Sequence, residues 1–200
     1  SSADVSAERA ATAARAPFDS EEWRKNQAGP FIARENALMR AAASANTSAE
    51  QKQRARMDLA RFYMARGMYY EAKGVADFVL DDAKPGFEDP GALMLRAVAH
   101  IVIGRPTAGL HDLANPVIGN NYDSQLWQGL AKARQGKWAE AREKFKNVEF
   151  AIASLPPELQ RLVLMDAMRA SLEVKDYSGA ARRRSDLDVV GVPAELRPAV

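Results

Sequence analysis

The chain has 200 residues, 47% hydrophobic and 27% charged, enough apolar material for a sizeable core. A net charge of +2 is too mild to indicate nucleic acid or an anionic membrane surface as partner, and no apolar run approaches the ~18 residues of a membrane-spanning helix. Cysteine is absent, which removes disulfides, thiol nucleophiles and thiolate metal sites together and suits cytoplasm and periplasm alike, so only a soluble compartment is expected.

In chain order, residues 1–18 are rich in alanine and serine and predict a disordered or loosely helical terminus. Residues 19–46 predict two helices. Asp19 followed by Glu22 is a capping-box pattern that starts a short helix through Trp23. Gly29-Pro30 breaks it, and Phe31, Ile32, Ala37, Leu38 and Ala41 then recur at helical spacing. Thr47 with Glu50 forms a second capping box, opening a helix through Met57, Leu59, Ala60, Tyr63 and Met64. Arg66-Gly67-Met68 is a turn, because glycine takes left-handed backbone angles without steric cost. Tyr69, Tyr70, Ala72, Val75, Ala76, Val79 and Leu80 mark the returning helix, which Pro85 closes.

The same order recurs three times. Asp89 caps a helix with Pro90 at its first position, followed by Leu93, Met94, Ala97 and Ile101, a turn at Gly104, and Gly109 and Leu113. Leu126 to Phe145 places Gly129, Gly136, Trp138, Ala141 and Phe145 in register. Pro156-Pro157-Glu158 opens a helix through Leu164, Met165, Ala167, Met168 and Leu172, then Lys175-Asp176-Tyr177 turns the chain, with Ala180 and Leu187 beyond. The turn residues Gly67, Gly104, Gly136 and Lys175 lie about 32 to 39 residues apart. Small residues at Ala72, Ala141 and Ala180 fall where paired helices cross. Loop insertions are expected near 86–89 and 150–156. No strand-like alternation occurs, so the fold class is all-α.

This pattern resembles the tetratricopeptide repeat, a helix–turn–helix unit of about 34 residues in which one hairpin cannot bury its own apolar face and needs neighbours. The resemblance implies a right-handed α-solenoid of four repeats at 47–89, 90–121, 122–156 and 157–192. Residues 19–46 form a cap or a degenerate repeat. Residues 193–200 begin a further helix, as in a fragment of a longer bacterial-type repeat protein. The aromatics Tyr63, Tyr69, Tyr70, Trp138, Phe145 and Tyr177 fall at family core positions. Trp127 either packs between repeats or is exposed, and Trp23 closes the N-terminal end.

Catalysis has no residues to stand on. His100 and His111 lack a second ligand or paired carboxylate at helical spacing, so no metal or acid–base role is expected. Asp81-Asp82 and Glu21-Glu22 are adjacent and diverge around a helix. GxSxG, P-loop and GxGxxG motifs are absent. No enzyme activity, catalytic residue, metal or cofactor is expected.

In this family the inner face of the first helices is concave and holds ligands. By register it presents Arg54, Met57, Arg61 and Met64, then Met94, Val98 and Ile101, then Leu126, Leu130 and Arg134, then Met165 and Arg169, with Asp123, Leu162 and Leu172 beside them. Methionine packs adaptably and arginine offers forked donors to carboxylates, so an acidic, amphipathic helix or extended protein segment is the expected partner. The alternative occupant is the protein's own N-terminal helices. Capture of a chaperone's C-terminal carboxylate is disfavoured, because at the matching positions Met57, Arg61, Leu95, Asp123 and Trp127 only Arg61 can bind an anion. The expected function is a non-catalytic protein-interaction scaffold. A structural spacer or self-assembling segment, and the non-catalytic part of an enzyme whose active domain lies elsewhere, are its alternatives. Nucleic-acid binding and membrane insertion are not expected, and homodimerisation has no positive signal.

Overall fold

The computed structural model describes residues 18–44, 46–119 and 122–191; the expectations for residues 1–17 and 193–200 lie outside them. Within the described residues the chain is all-helical, with α1 Ser20–Gln27, α2 Phe31–Ala43, α3 Ala49–Ala65, α4 Tyr69–Asp81, α5 Pro90–Val102 and α6 Pro106–Leu113. The later helices are α7 Tyr122–Arg134, α8 Trp138–Lys144, α9 Glu149–Ala153, α10 Pro157–Glu173 and α11 Tyr177–Val190. None is long and apolar enough to cross a membrane.

Local chemistry places most boundaries. Asp19 accepts from the Glu22 amide and Asp89 from the Ala92 amide, satisfying donors that the first turns of α1 and α5 leave free. The cap of α3 falls one residue later than expected: Ser48 and Gln51, not Thr47 and Glu50, form the reciprocal capping box. Gly67, Gly104 and Gly136 reverse the chain with φ of 71°, 86° and 75°, and Lys175 holds the same left-handed geometry at 61° without glycine's freedom. The loop expected near 86–89 is present. At 150–156, however, the short helix α9 stands where a loop insertion was expected.

Packing runs between neighbours: α3 on α4, α5 on α6, α7 on α8 and α10 on α11 form hairpins, and α4–α5 and α6–α7 join successive ones. Small residues let the paired helices approach. Ala72 and Ala141 are fully buried, Ala180 nearly so, and Gly109 is buried with its helix axis close to the Ala97 carbonyl. One continuous core runs through the molecule from Phe18 to Ala170. Tyr63 and Phe145 are buried in it, and Tyr69 and Trp138 pack against it half-buried. Tyr70 and Tyr177 are 64% and 67% exposed, contrary to their expected core role. Tyr70 follows Tyr69 by one residue, about 100° around the helix, so only one of the two can face inward. Tyr177 occupies the first turn of α11, outside the crossing.

A charged network ties the second hairpin to its predecessor. Arg96 on α5 grips the buried Asp112 of α6 through two bonds of 2.9 and 2.7 Å, and reaches Asp77 of α4 at 3.2 Å. Lys73 closes on Asp77 at 2.6 Å, and His100 Nε2 stands 3.8 Å from Asp112. Burial lowers the His100 pKa from its ordinary value, with the Asp112 charge opposing that shift.

Candidate functional site

The expected inner-face residues divide into three groups. Met57, Met64, Met94, Val98, Ile101, Leu126 and Leu130 are buried and belong to the continuous core. Arg61 and Arg134 are held flat by Asp58 at 3.3 Å and Asp166 at 2.6 Å. Arg54 is exposed beside Glu50, and Met165 and Arg169 are also exposed, the Arg169 guanidinium lying 4.8 Å from the centre of the Trp138 ring. These twelve residues therefore do not line one open trough. Burial raises the Asp123 carboxyl pKa, so this acid too is partly withdrawn from water.

The segment Phe18–Gly29 lies against the face to which α3, α7 and the start of α10 contribute. Helix α1 packs along α3. Phe18, only 2% exposed, meets Trp127 of α7 edge-on at 5.9 Å and Trp23 of the following helix α1 at 6.0 Å. Trp127 is thus fully buried. The Ser20 hydroxyl donates to the Ser154 carbonyl at 3.4 Å. At the other end, Gln27 Nε2 donates to both the Ala65 carbonyl, at the end of α3, and Glu158 Oε1, in the first turn of α10, at 3.2 Å each. One side-chain amide thereby joins the first hairpin to the last. The Glu158 charge, after burial, also contributes to the raised pKa of Tyr69 at the start of α4.

Arg66 anchors the strap. Its Nε donates to the Asn26 carbonyl at 2.7 Å and its Nη2 to those of Ala28 and Gly29 at 3.2 Å. These are carbonyls that the end of α1 cannot satisfy itself, and the cation complements the negative end of the helix. The same guanidinium lies over the Phe31 and Phe62 rings at 5.7 and 5.4 Å. Beside it, Tyr63 donates to Glu35 of α2 at 2.8 Å, and burial with that bond pushes its pKa up to about 12.

Sequence reasoning missed Phe18, placed in the loose terminus, and Arg66, read only as a turn residue. The available signal was Phe18 directly before the Asp19 cap, a hydrophobic residue where a helix entry packs back on its own chain. Chemically, the strap is an amphipathic helix with two aromatic anchors, Phe18 and Trp23, and an acidic leading edge of Asp19, Glu21 and Glu22. Its fit is incomplete: the indole N–H groups of Trp23 and Trp127 are buried with no acceptor among the described residues. No family model, curated protein or solved structure matches the chain.

Proposed function

We propose that this protein is a non-catalytic interaction scaffold of the tetratricopeptide type, a right-handed solenoid of four hairpins whose inner face receives a short amphipathic helix. The observation that carries this reading is the strap itself. The face takes up an amphipathic, aromatic-anchored helix and supplies Arg66, Trp127 and Ala65 to hold it. The left-handed turn residues in all four hairpins and the small side chains at the crossings support the repeat assignment.

In this reading residues 18–29 occupy the face in cis, and a partner helix takes their place. Displacement is helped by the two buried indole N–H groups, each an unmet donor costing about 1–3 kcal/mol: that of Trp23 is met by water once the strap is released, and that of Trp127 by a ligand with a suitable acceptor. The test uses the full chain carrying Phe18→Ser and Trp23→Ser, which release the strap, and a fluorescein-labelled peptide of residues 16–29. Saturable anisotropy is expected for the variant and much weaker binding for wild type, because a tethered strap competes at roughly millimolar effective concentration. If the variant keeps its helical circular dichroism yet the peptide binds neither protein, the scaffold reading fails. The structural-spacer reading, favoured by the closure of the face in cis, would then stand.

A further inference from the structure

The C-terminal hairpin carries a second feature, independent of the strap. A cavity of about 170 Å³ lies between α8, the 145–149 segment and α11, bordered by Arg142, Lys146, Arg182, Arg183, Glu149 and Asp176. At ~30 Å³ per water it has room for about five waters, the scale of a small polyatomic anion. Its lining sets four cations against two carboxylates, with Glu143 alongside at 2.7 Å from Lys146 and 3.6 Å from Arg142, and the two lining carboxylates are already engaged. Asp176 accepts from Arg142 Nε at 2.8 Å and from the Gly179 amide at 3.0 Å. Glu149 stands 3.5 Å from Arg183 Nη2.

Two of the four cations, Arg183 and Arg182, are less well served. The Arg183 side chain is only 7% exposed. Its Nη2 donates to the Phe145 carbonyl at 2.8 Å, but Nη1 has no hydrogen-bond partner among the described residues, its nearest acid being Asp186 at 3.9 Å. Arg182 is exposed and makes no ion pair among the described residues. Burying a guanidinium without full pairing is costly, and burial accordingly lowers the Arg183 pKa. The Phe145 contact explains why Arg183 is anchored, since a cation suits a helix C-terminus. Arg142 and Lys146 are placed by their pairs with Asp176 and Glu143, the latter pair being solvent-exposed and weak, but no such contact explains why Arg182 joins them at the same cavity.

We propose that this cavity binds a small oxyanion, a phosphate or carboxylate group, held by Arg182, Arg183 and Lys146. Forked guanidinium donors suit such oxygens, and the partly enclosed setting strengthens each bond relative to water.

The test titrates the full chain in low-salt, phosphate-free buffer with inorganic phosphate, with acetate as the carboxylate arm and sodium chloride at matched ionic strength as control. Binding is read from backbone amide shifts at Asn147 and Gly179 and by calorimetry. Saturable binding of phosphate or acetate, absent with chloride, is expected; which anion binds identifies the group. The double variant Lys146→Gln/Arg182→Gln changes only exposed side chains and should bind at least tenfold more weakly with an unchanged melting temperature. The proposal is overturned if neither anion saturates, if chloride gives the same response, or if the double variant binds as wild type.

Discussion

Three glycines in helix interiors face different surroundings, and replacing each by alanine separates helix propensity from helix packing. The propensity gain is common to all, about 1 kcal/mol. At Gly74 on α4 a new Cβ meets nothing within 4 Å, so that gain should appear whole. At Gly129 on α7 it would lie 2.9 Å from Phe145 Cε1, and the buried ring must shift. At Gly109 on α6 it would lie 2.6 Å from Ile101 Cγ1 and 2.9 Å from the Ala97 carbonyl. The isoleucine can adjust, but the carbonyl belongs to the backbone of α5 and yields only if the whole helix moves. Overpacking of this kind costs about 1–3 kcal/mol. The net expectation is a gain of about 1 kcal/mol for Gly74→Ala, a loss of roughly 0–2 for Gly129→Ala, and a loss near the upper end of that range for Gly109→Ala. At about 2–4 °C per kcal/mol for a chain of this size, melts followed at 222 nm resolve the order. If Gly109→Ala melts at or above Gly74→Ala, the close approach of α5 and α6 is wrong.

Asp112→Ala should cost about 1–3 kcal/mol by removing two charge-assisted bonds and leaving Arg96 with Asp77 alone, whereas Arg134→Ala at the more exposed pair with Asp166 should cost no more than about 1; urea midpoints compare them. Because the folded His100 pKa is depressed, its neutral form contributes stability that is present above the ordinary value of about 6.5 and lost as pH falls through the lowered one. The stability difference between wild type and His100→Gln should therefore shift against wild type between pH 7.5 and 5. A pH-independent difference would contradict the buried setting. Tyr63 should ionise near pH 12 in an ultraviolet titration, and Tyr63→Phe should remove that step. The raised folded pKa means that the stabilising contribution of Tyr63 is whole below pH 10 and fades as pH rises toward 12.

Local signals were legible where one residue's chemistry settles the matter: Asp89-Pro90 starts α5, the turn glycines reverse the chain, and Ala72 and Ala141 vanish into crossings. Two overlapping capping frames, Thr47/Glu50 and Ser48/Gln51, differ by one residue, and only three-dimensional geometry chooses Ser48. Helix α9, of 5 residues, is too short to display an apolar period. The candidate face was the hardest part. Register places Met57, Met64 and Met94 on it, but whether such a face meets water depends on what lies over the core, and no periodicity records the docking of Phe18 on a tryptophan more than a hundred positions away.

The strap also imposes an order of events on the chain's synthesis. Ser20 and Gln27 bond to residues 134 and 131 positions further along, far beyond the neighbour-to-neighbour contacts of the hairpins. A ribosome adding about 5–20 residues per second delivers those partners on the order of ten seconds after the strap has emerged. Through that interval Phe18 and Trp23 have no finished surface to enter. The hairpins can form one after another from local contacts, whereas the strap, made before them, can complete its docking only after α7 and α10 have formed. The nascent chain thus leaves the two aromatic anchors of the strap without their full contacts until α7 and α10 are in place.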